Sequence, residues 1–499
     1  MDLAKQLTFR PVLPVVLNNA DYLQRESLLK RMDQLLTLSG LEESFIEASV
    51  LKWLGGRDDS KVSGEAMAKQ VDRARRALRC NILINLLQLP YREMSIRLAE
   101  CALYQWFCHI DRLSEVKVPS KSEIGRFIEM VDAETLKELN HVMISKAAEP
   151  ASEEVTQVLN LKNEIELKTI WMDSTALKAN IHFPVDWVLL RDGVRTLMLA
   201  TILIRQHGLK HRMVPPEQFL GNINRLCMAM TACRRKSDSR KKRKQVFRQM
   251  KKLVKTVQSH ALRHKELLEE HWSTTDWTEP QAAEVMQRIQ GVLDLLPEAI
   301  KQAHARIIRG EQTKNKEKIL SLYEPDVNVI VRGKADAEIE FGNSLLLSEQ
   351  RNGVIVDWNL HQATAPNDSR QLPESIERIQ AAHGKDTVQA VAADRQFDSK
   401  QSRGWMDEQE IYNAVCPRSP QELKNKKKSS KFQSLQRRRA QTESRIAIFK
   451  NVFLGNPIKR RGFKNRELQV GWAVLSHNLW LLARLEKRGE PAEQLPQAA

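Results

Sequence analysis

The stretch TIWMDST (169–175) is a short run of β-branched, aromatic and thioether residues ending on an acid, and it reads as a strand that delivers Asp173. ALKANIHF (176–183) continues the pattern as far as Pro184. Because Asp-Ser-Thr is a common turn sequence, the two segments together predict a hairpin-like pair. Three further strand-like runs follow much later: VNVIVRG (327–333), NSLLLSEQ (343–350) and GVIVDWNLHQ (353–362). A helical segment, PESIERIQAAHG (373–384), then leads into the run VQAVAA (388–393), which ends next to Asp394 in AVAADRQFDS (390–399). Strand, strand, strand, helix, strand is the order of an RNase H-like sheet, and it predicts Asp173 and Asp394 on adjacent strands.

Between these strands, 186–325 is helical in period. WVLLRDGVRTLMLATILIRQHG (187–208), EQFLGNINRLCMAMTAC (217–233), KQVFRQMKKLVKTVQSHALRHKELLEEHW (244–272) and QAAEVMQRIQGVLDLLPEAIKQAHARII (281–308) each place apolar residues at i, i+3 and i+4. The strand order makes this block an insertion in the core. Asp186 and Asp192 read as solvated residues at its start, and His182 as a strand residue at the edge of the site. The chain up to about residue 150 is also helical. LQRESLLKRMDQLLTLSGL (23–41) stops at Gly40, and 75–112 reads as two helices broken at Pro90, with Trp106 and Phe107 as core candidates. The expected architecture is therefore a multidomain α+β/α/β chain. It comprises an all-helical N-terminal domain (1–150), an RNase H-like mixed-sheet core (165–185 and 327–488), a helical insertion (186–326) and a flexible tail (489–499).

Bulk properties restrict the partners. The 499 residues carry 79 Lys plus Arg against 62 Asp plus Glu, a formal charge of +17 that favours polyanions. A spanning helix is not expected, because the longest apolar runs, such as TLMLATILI (196–204), fall short of the ~20 residues it needs. MDLAKQLTFRPVLPVV carries charge and two prolines where a secretion signal would be apolar. Six cysteines form no metal-spaced pairs; Cys80, Cys101, Cys108 and Cys227 lie among apolar residues and read as buried free thiols of a reducing cytoplasm. No Walker-type glycine loop is present, so no nucleotide cofactor is expected.

RRRAQTESRIAIFK (437–450) is a charged helical pattern with Arg439 one turn before Glu443 and Lys450 two turns after it. Two aspartates from strands and a glutamate from a later helix can hold two divalent ions for phosphoryl transfer, with Mg²⁺ the natural choice and Mn²⁺ a substitute. On so basic a chain the natural phosphate substrate is DNA. Asp398 competes with Asp394, and Glu422 and Glu467 compete with Glu443; position at the strand end and the Arg-Glu-Lys spacing favour the first of each. Arg439 and Lys450 can clamp flanking phosphates. Three basic runs add candidate DNA contacts. RRKSDSRKKRKQVFRQMKKLVK (234–255) includes Lys241, Lys242, Arg243 and Lys244; KNKKKSSKFQSLQRRR (424–439) includes Lys426, Lys427 and Lys428; KRRGFKNR (459–466) includes Arg460 and Arg461.

These residues resemble the DDE transposases of bacterial insertion sequences. WMDSTALKANIHFPVDWVLLRDGVR (171–195) resembles their first-aspartate block, VRGKADAEIEFGNSLLLSEQRNG (331–353) the strand block that follows, AADRQFDS (392–399) the second-aspartate block and GWAVLSHNLWLLARL (471–485) the terminal helix. Ser120, Ser122, Arg126 and Phe127 stand where the family has a serine-rich turn and an Arg-Phe pair. One branch carries Tyr-x2-Arg-x3-Glu-x6-Lys; here Arg439, Glu443 and Lys450 keep the last three members, and Gln436 replaces the tyrosine. Gln436 is accordingly expected to tolerate alanine. The resemblance spans roughly 79–130 and 165–485. It implies an enzyme of the bacterial cytoplasm and nucleoid that acts as a homodimer on double-stranded DNA. Such an enzyme would cut and rejoin the ends of its own element through Asp173, Asp394 and Glu443. A non-catalytic DNA-binding descendant and a nuclease without strand transfer remain alternatives.

Overall fold

The computed structural model describes residues 12–111, 115–150, 158–233, 239–334 and 337–488. The expected tail (489–499) and the first residues of the long basic run (234–238) lie outside them. Among the described residues seven α-helices come first: α1 (Ala20–Leu38), α2 (Leu41–Leu54), α3 (Gly64–Leu87), α4 (Tyr91–Glu100), α5 (Ala102–Cys108), α6 (Lys121–Phe127) and α7 (Ala133–Ala148). Local chemistry sets their ends. Asn19, Ser63, Ser120 and Asp132 accept backbone N–H bonds at the starts of α1, α3, α6 and α7, and Gly40 takes a left-handed conformation between α1 and α2. The second helix expected after Pro90 is split at Cys101 into α4 and α5. Phe107 is fully buried and Trp106 packs partly buried against the same core. Cys80, Cys108 and Cys227 are buried free thiols, whereas Cys101 is only half-buried.

The first strand, β1 (Thr169–Lys178), leads to four long helices: α8 (Asp186–Gln206), α9 (Pro216–Ala232), α10 (Ser239–His271) and α11 (Glu279–His304). Strands β2 (Asn328–Lys334), β3 (Ala337–Glu349) and β4 (Ile355–Leu360) follow, then α12 (Asp368–His383), β5 (Ala390–Ala392), α13 (Lys400–Glu408) and β6 (Tyr412–Asn413). Helices α14 (Pro420–Lys426), α15 (Ser430–Ile448) and α16 (Phe463–Ala483) end the described chain, with a π-helical turn, Phe449–Leu454, running on from α15.

All the described strands form one mixed sheet, β2-β3-β1-β5-β6, with β4 also on β3. Strand β1 is antiparallel to β3 and parallel to β5, and β5 is parallel to β6. Strands β2 and β4 pair successive stretches of the same edge of β3. The segment 328–360 thus builds the sheet that holds β1 and not a sheet of its own, as the strand order predicted.

The hairpin expected over 169–183 does not form. Strand β1 runs straight through Asp-Ser-Thr because β3 supplies a partner for each residue from Trp171 to Lys178. A long cross-strand ladder overrides a local turn preference. Asp173 therefore sits within a strand and not at its end. His182 lies in the irregular segment after it, exposed, 3.3 Å from the Asp192 carboxylate.

Asp186 and Asp192 are likewise not solvated; they are 6% and 5% exposed. Asp186, the first residue of α8, accepts from Gln302 Nε2 at 3.0 Å and Arg306 Nη1 at 2.9 Å, which ties the start of the four-helix block to its end. Asp192 accepts from Arg191. The block has its own apolar cluster, including Leu190, Leu197, Phe247, Met250, Ile289 and Leu296. By contrast the N-terminal helices share one core with the sheet: Phe45, Leu78 and Phe107 belong to the same cluster as Ile170, Met172, Val391 and Trp472. Helix α16 is buried nearly all round between them, and Trp472 Nε1 donates to the Ile128 carbonyl at 3.1 Å.

Gly342 marks the point where β3 faces β1 on one side and β2 on the other. A Cβ there would lie 1.7 Å from the Leu177 carbonyl oxygen, so no rotamer relieves the clash. Gly342→Ala should lower unfolding stability by about 3 kcal/mol or more. Thermal unfolding checks this, and an unchanged midpoint would contradict the close β1–β3 approach.

Candidate active site

The parallel pairing of β1 with β5 ends at Trp171–Ala392, and Asp173 and Asp394 each lie two residues beyond that pair. Strand register therefore sets these acids side by side although the sequence separates them widely. Asp394 caps the short turn Arg395–Phe397, its Oδ1 accepting from Gln396 N at 2.7 Å. Asp173 Oδ1 accepts from Ser174 N at 2.8 Å. Helix α15, capped by Ser429, carries Arg439 and Glu443, and the π-helical turn after it carries Lys450. Asp173, Asp394, Glu443 and Lys450 all line one open cleft of about 790 Å³.

Electrostatics in this cleft are strained. Burial pushes the Asp173 carboxyl up to about 7, reinforced by Asp394 and Glu443 and opposed by the Ser174 N–H and by Arg439. Glu443 is well exposed, and its carboxylate lies 3.6 Å from Arg439 Nη1. Lys450 Nζ donates to Thr175 Oγ1 at 3.2 Å and to the Ala176 carbonyl at 2.7 Å, so it is held against β1 next to Asp173.

The competing acids have structural partners. Asp398 is buried, accepts twice from Arg403 at 2.6 Å and takes the Arg418 N–H at 2.8 Å, which holds its carboxyl below the usual range despite burial. Glu422 also pairs with Arg403, at 2.6 Å. Burial raises the Glu467 carboxyl, and Glu467 does not line the cleft.

The basic candidates divide. Lys241 and Lys242 are exposed on α10, opposite its buried stripe of Val246, Phe247, Met250 and Val254; Arg243 and Lys244 are half-buried. Lys427, Lys428 and Arg461 are exposed. Two expected DNA contacts are turned inward instead. Lys426 Nζ donates to the Asn413 carbonyl at 2.9 Å, and its burial lowers its pKa. Arg460 stacks over Tyr91 at 5.3 Å and donates to Gln469 Oε1 at 3.1 Å, and burial pushes its guanidinium down to about 10. Gln436 also departs from expectation: its side chain donates to the carbonyls of Ala393 and Ala414, so it is not an idle surface residue.

Sequence reasoning missed Asp368 and Lys316, which also line the cleft. Asp368 begins α12 and accepts from Ser174 Oγ at 3.0 Å. Its only signal was its place shortly after a strand; Lys316 had none, because it reaches the cleft from the far end of the helical block.

The lining acids offer hard oxygen donors without thiol or imidazole, which suits a hard divalent cation. Desolvation first, and the neighbouring acids Asp394 and Glu443 second, raise the Asp173 carboxyl, a penalty that a divalent cation would relieve. Among the described residues, no three His, Cys, Asp or Glu side chains converge closely enough to form a metal cage.

A mixed sheet that brings acids from neighbouring strands beneath a glutamate-bearing helix defines the RNase H-like class of core. Residues 343–479, from β3 through Asp394 and Glu443 into α16, match the family described as the transposase DDE domain. Neither a curated protein nor a solved structure matches the chain.

The raised Asp173 carboxyl has a consequence for stability. The folded state keeps a proton that the unfolded chain releases near 3.8, so without metal the protein loses stability as pH rises from there to about 7. Asp173→Asn should remove that penalty. In EDTA at about pH 8 it should be more stable than wild type by about 1–3 kcal/mol, and the gap should close toward about pH 4. Equal stability of the two proteins across this range would contradict the raised Asp173 carboxyl.

Proposed function

We propose that this protein is a DNA transposase that binds the terminal inverted repeats of its own insertion sequence and catalyses metal-dependent DNA cleavage and strand transfer. The observation that carries the reading is the shared cleft of Asp173, Asp394 and Glu443 on a chain whose matched segment is a transposase DDE domain. In this reading Asp173 and Asp394 hold a divalent ion pair and Glu443 completes the set. When bound, such ions activate the attacking water or 3′-hydroxyl and stabilise the leaving oxygen. Arg439 and Lys450 contact the phosphates that flank the scissile bond, and their attachment to α15 and β1 keeps that contact in register with the acids. The block from α8 to α11 serves as an insertion that tracks the DNA backbone through the exposed face of α10. The N-terminal helices grip the element's end or join two protomers in the DNA complex, in the bacterial cytoplasm near the nucleoid.

The decisive experiment incubates the protein with end-containing DNA and Mg²⁺ and follows both nicking and joining. Asp173→Asn, Asp394→Asn and Glu443→Gln should each reduce cleavage to background while end binding stays nearly intact, because each removes an ion ligand and no phosphate-contacting cation. A variant that keeps substantial activity in Mg²⁺ would show that its acid is wrongly assigned. Cleavage without joining would reduce the protein to a nuclease.

Replacing Lys241, Lys242, Arg243 and Lys244 together by glutamine should weaken binding to all sequences alike. It should also flatten the dependence of log K on log salt, by ~0.9 for each phosphate no longer neutralised. An unchanged slope would mean that this face of α10 is solvated surface.

A further inference from the structure

Gln436 occupies the one position of the Tyr-x2-Arg-x3-Glu-x6-Lys pattern that this chain does not keep. The β5–β6 ladder runs on past its last pair, Val391–Asn413, with Ala414 N donating to the Val391 carbonyl at 2.9 Å and Cys416 N to the Ala393 carbonyl at 3.0 Å, and the carbonyls of Ala393 and Ala414 both also face α15. A single carboxamide reaches both segments: Gln436 Nε2 donates to the Ala393 carbonyl at 3.1 Å and to the Ala414 carbonyl at 2.5 Å. Its Oε1 accepts from Arg439 Nε at 3.2 Å. Ala393 immediately precedes Asp394, and Arg439 stands 3.6 Å from Glu443. The amide thus touches the peptide that carries one acid and the arginine that faces another. This position calls for two donated protons at one end of the group and an acceptor at the other, which a primary amide offers and a phenol does not.

Helix α15 does not depend on this contact for docking. Trp171 Nε1 donates to the Leu435 carbonyl at 3.0 Å, and Arg438 and Thr442 bond the buried Glu349. Gln436 is therefore free to set fine geometry and not gross attachment.

We infer that Gln436 is a positioning residue that fixes the Asp394 peptide and the Arg439 guanidinium relative to each other, in place of the aromatic residue of the related pattern. The inference rests on the reading of this cleft as the catalytic site. Through Arg439 and Asp394, Gln436 acts on where the scissile phosphate sits, so its loss lowers the chemical rate more than DNA affinity. Misplacement of ~1 Å can cost about a hundredfold in rate.

The test compares Gln436→Met, of similar size with no amide, and Gln436→Glu, which keeps an acceptor for Arg439 but cannot donate to the two carbonyls. Cleavage is measured in single turnover at saturating end-containing DNA and Mg²⁺, alongside end-binding affinity and thermal unfolding, with Glu443→Gln as control. Both variants should cleave ~30–100-fold more slowly, with affinity changed less than about threefold and unfolding shifted by only a few degrees. A Gln436→Met rate within about threefold of wild type overturns the inference. So does a rate loss matched by equal losses of affinity or folded protein, which would make the contact merely structural. If wild type cleaves and Glu443→Gln does not, either result counts against Gln436 alone; if Glu443→Gln also cleaves, the catalytic reading itself fails.

Discussion

Glu349 is 4% exposed at the end of β3, and its carboxylate accepts from Thr442 Oγ1 at 2.8 Å and from Arg438 Nη1 at 3.0 Å. Burying an ion pair costs desolvation, and removing one partner of such a pair costs ~3–5 kcal/mol, so the contact constrains α15 strongly. Arg438 also lies over the Trp171 ring at 4.7 Å and donates to the Gln350 and Arg351 carbonyls. These contacts pin α15 to β1 and β3 at once, the two strands whose pairing sets the level of Asp173. Thr442 precedes Glu443 directly, so the buried side of the helix fixes where its exposed side presents the glutamate. Everything proposed for the cleft depends on that rigid mounting.

The sheet order was legible in the sequence because each core strand is a short apolar run, and an acid follows the strand at Asp394 as a local punctuation mark. The Arg439–Glu443–Lys450 spacing was legible for the same reason, since a helix converts spacing into a shared face. What failed was whatever depended on a distant partner. Asp-Ser-Thr looks like a turn until β3 is laid beside it. Asp186 looks solvated because Gln302 and Arg306 arrive more than a hundred residues later. Lys426 and Arg460 look like surface charge because their partners, the Asn413 carbonyl and the Tyr91 ring, are chosen by the fold.

The N-terminal helices show a further limit of local reading. Their periodicity identifies them as helices, but a helix pattern does not say which core its apolar face joins. Phe45 stacks with Trp472 at 5.5 Å, and Asn140 Nδ2 donates to the Ile355 carbonyl at 3.1 Å, so this region packs against the terminal helix and the sheet together. The four helices between β1 and β2 behave oppositely, since their apolar faces close on one another. Strain at α10 can therefore be absorbed within that block, whereas disturbance of α3 or α7 reaches the core that supports β1 and β5.

The buried acids of the chain sort by how they are neutralised, and the sorting separates support from chemistry. Asp357 pairs with Arg378, Asp398 with Arg403, Glu349 with Arg438, Glu324 with Arg466 and Asp186 with Arg306, each through a direct ion pair. An acid so paired already has its counter-charge within the fold. Asp173 makes no such direct pair among the described residues; it has a backbone N–H, two like charges and a nearby arginine. Half-buried among like charges, with Arg439 only nearby, it carries a folding cost that a directly paired acid does not, and perturbed acids of this kind concentrate at functional sites. The unpaired acid between β3 and β5 is therefore the feature that distinguishes this cleft from the many ion pairs around it.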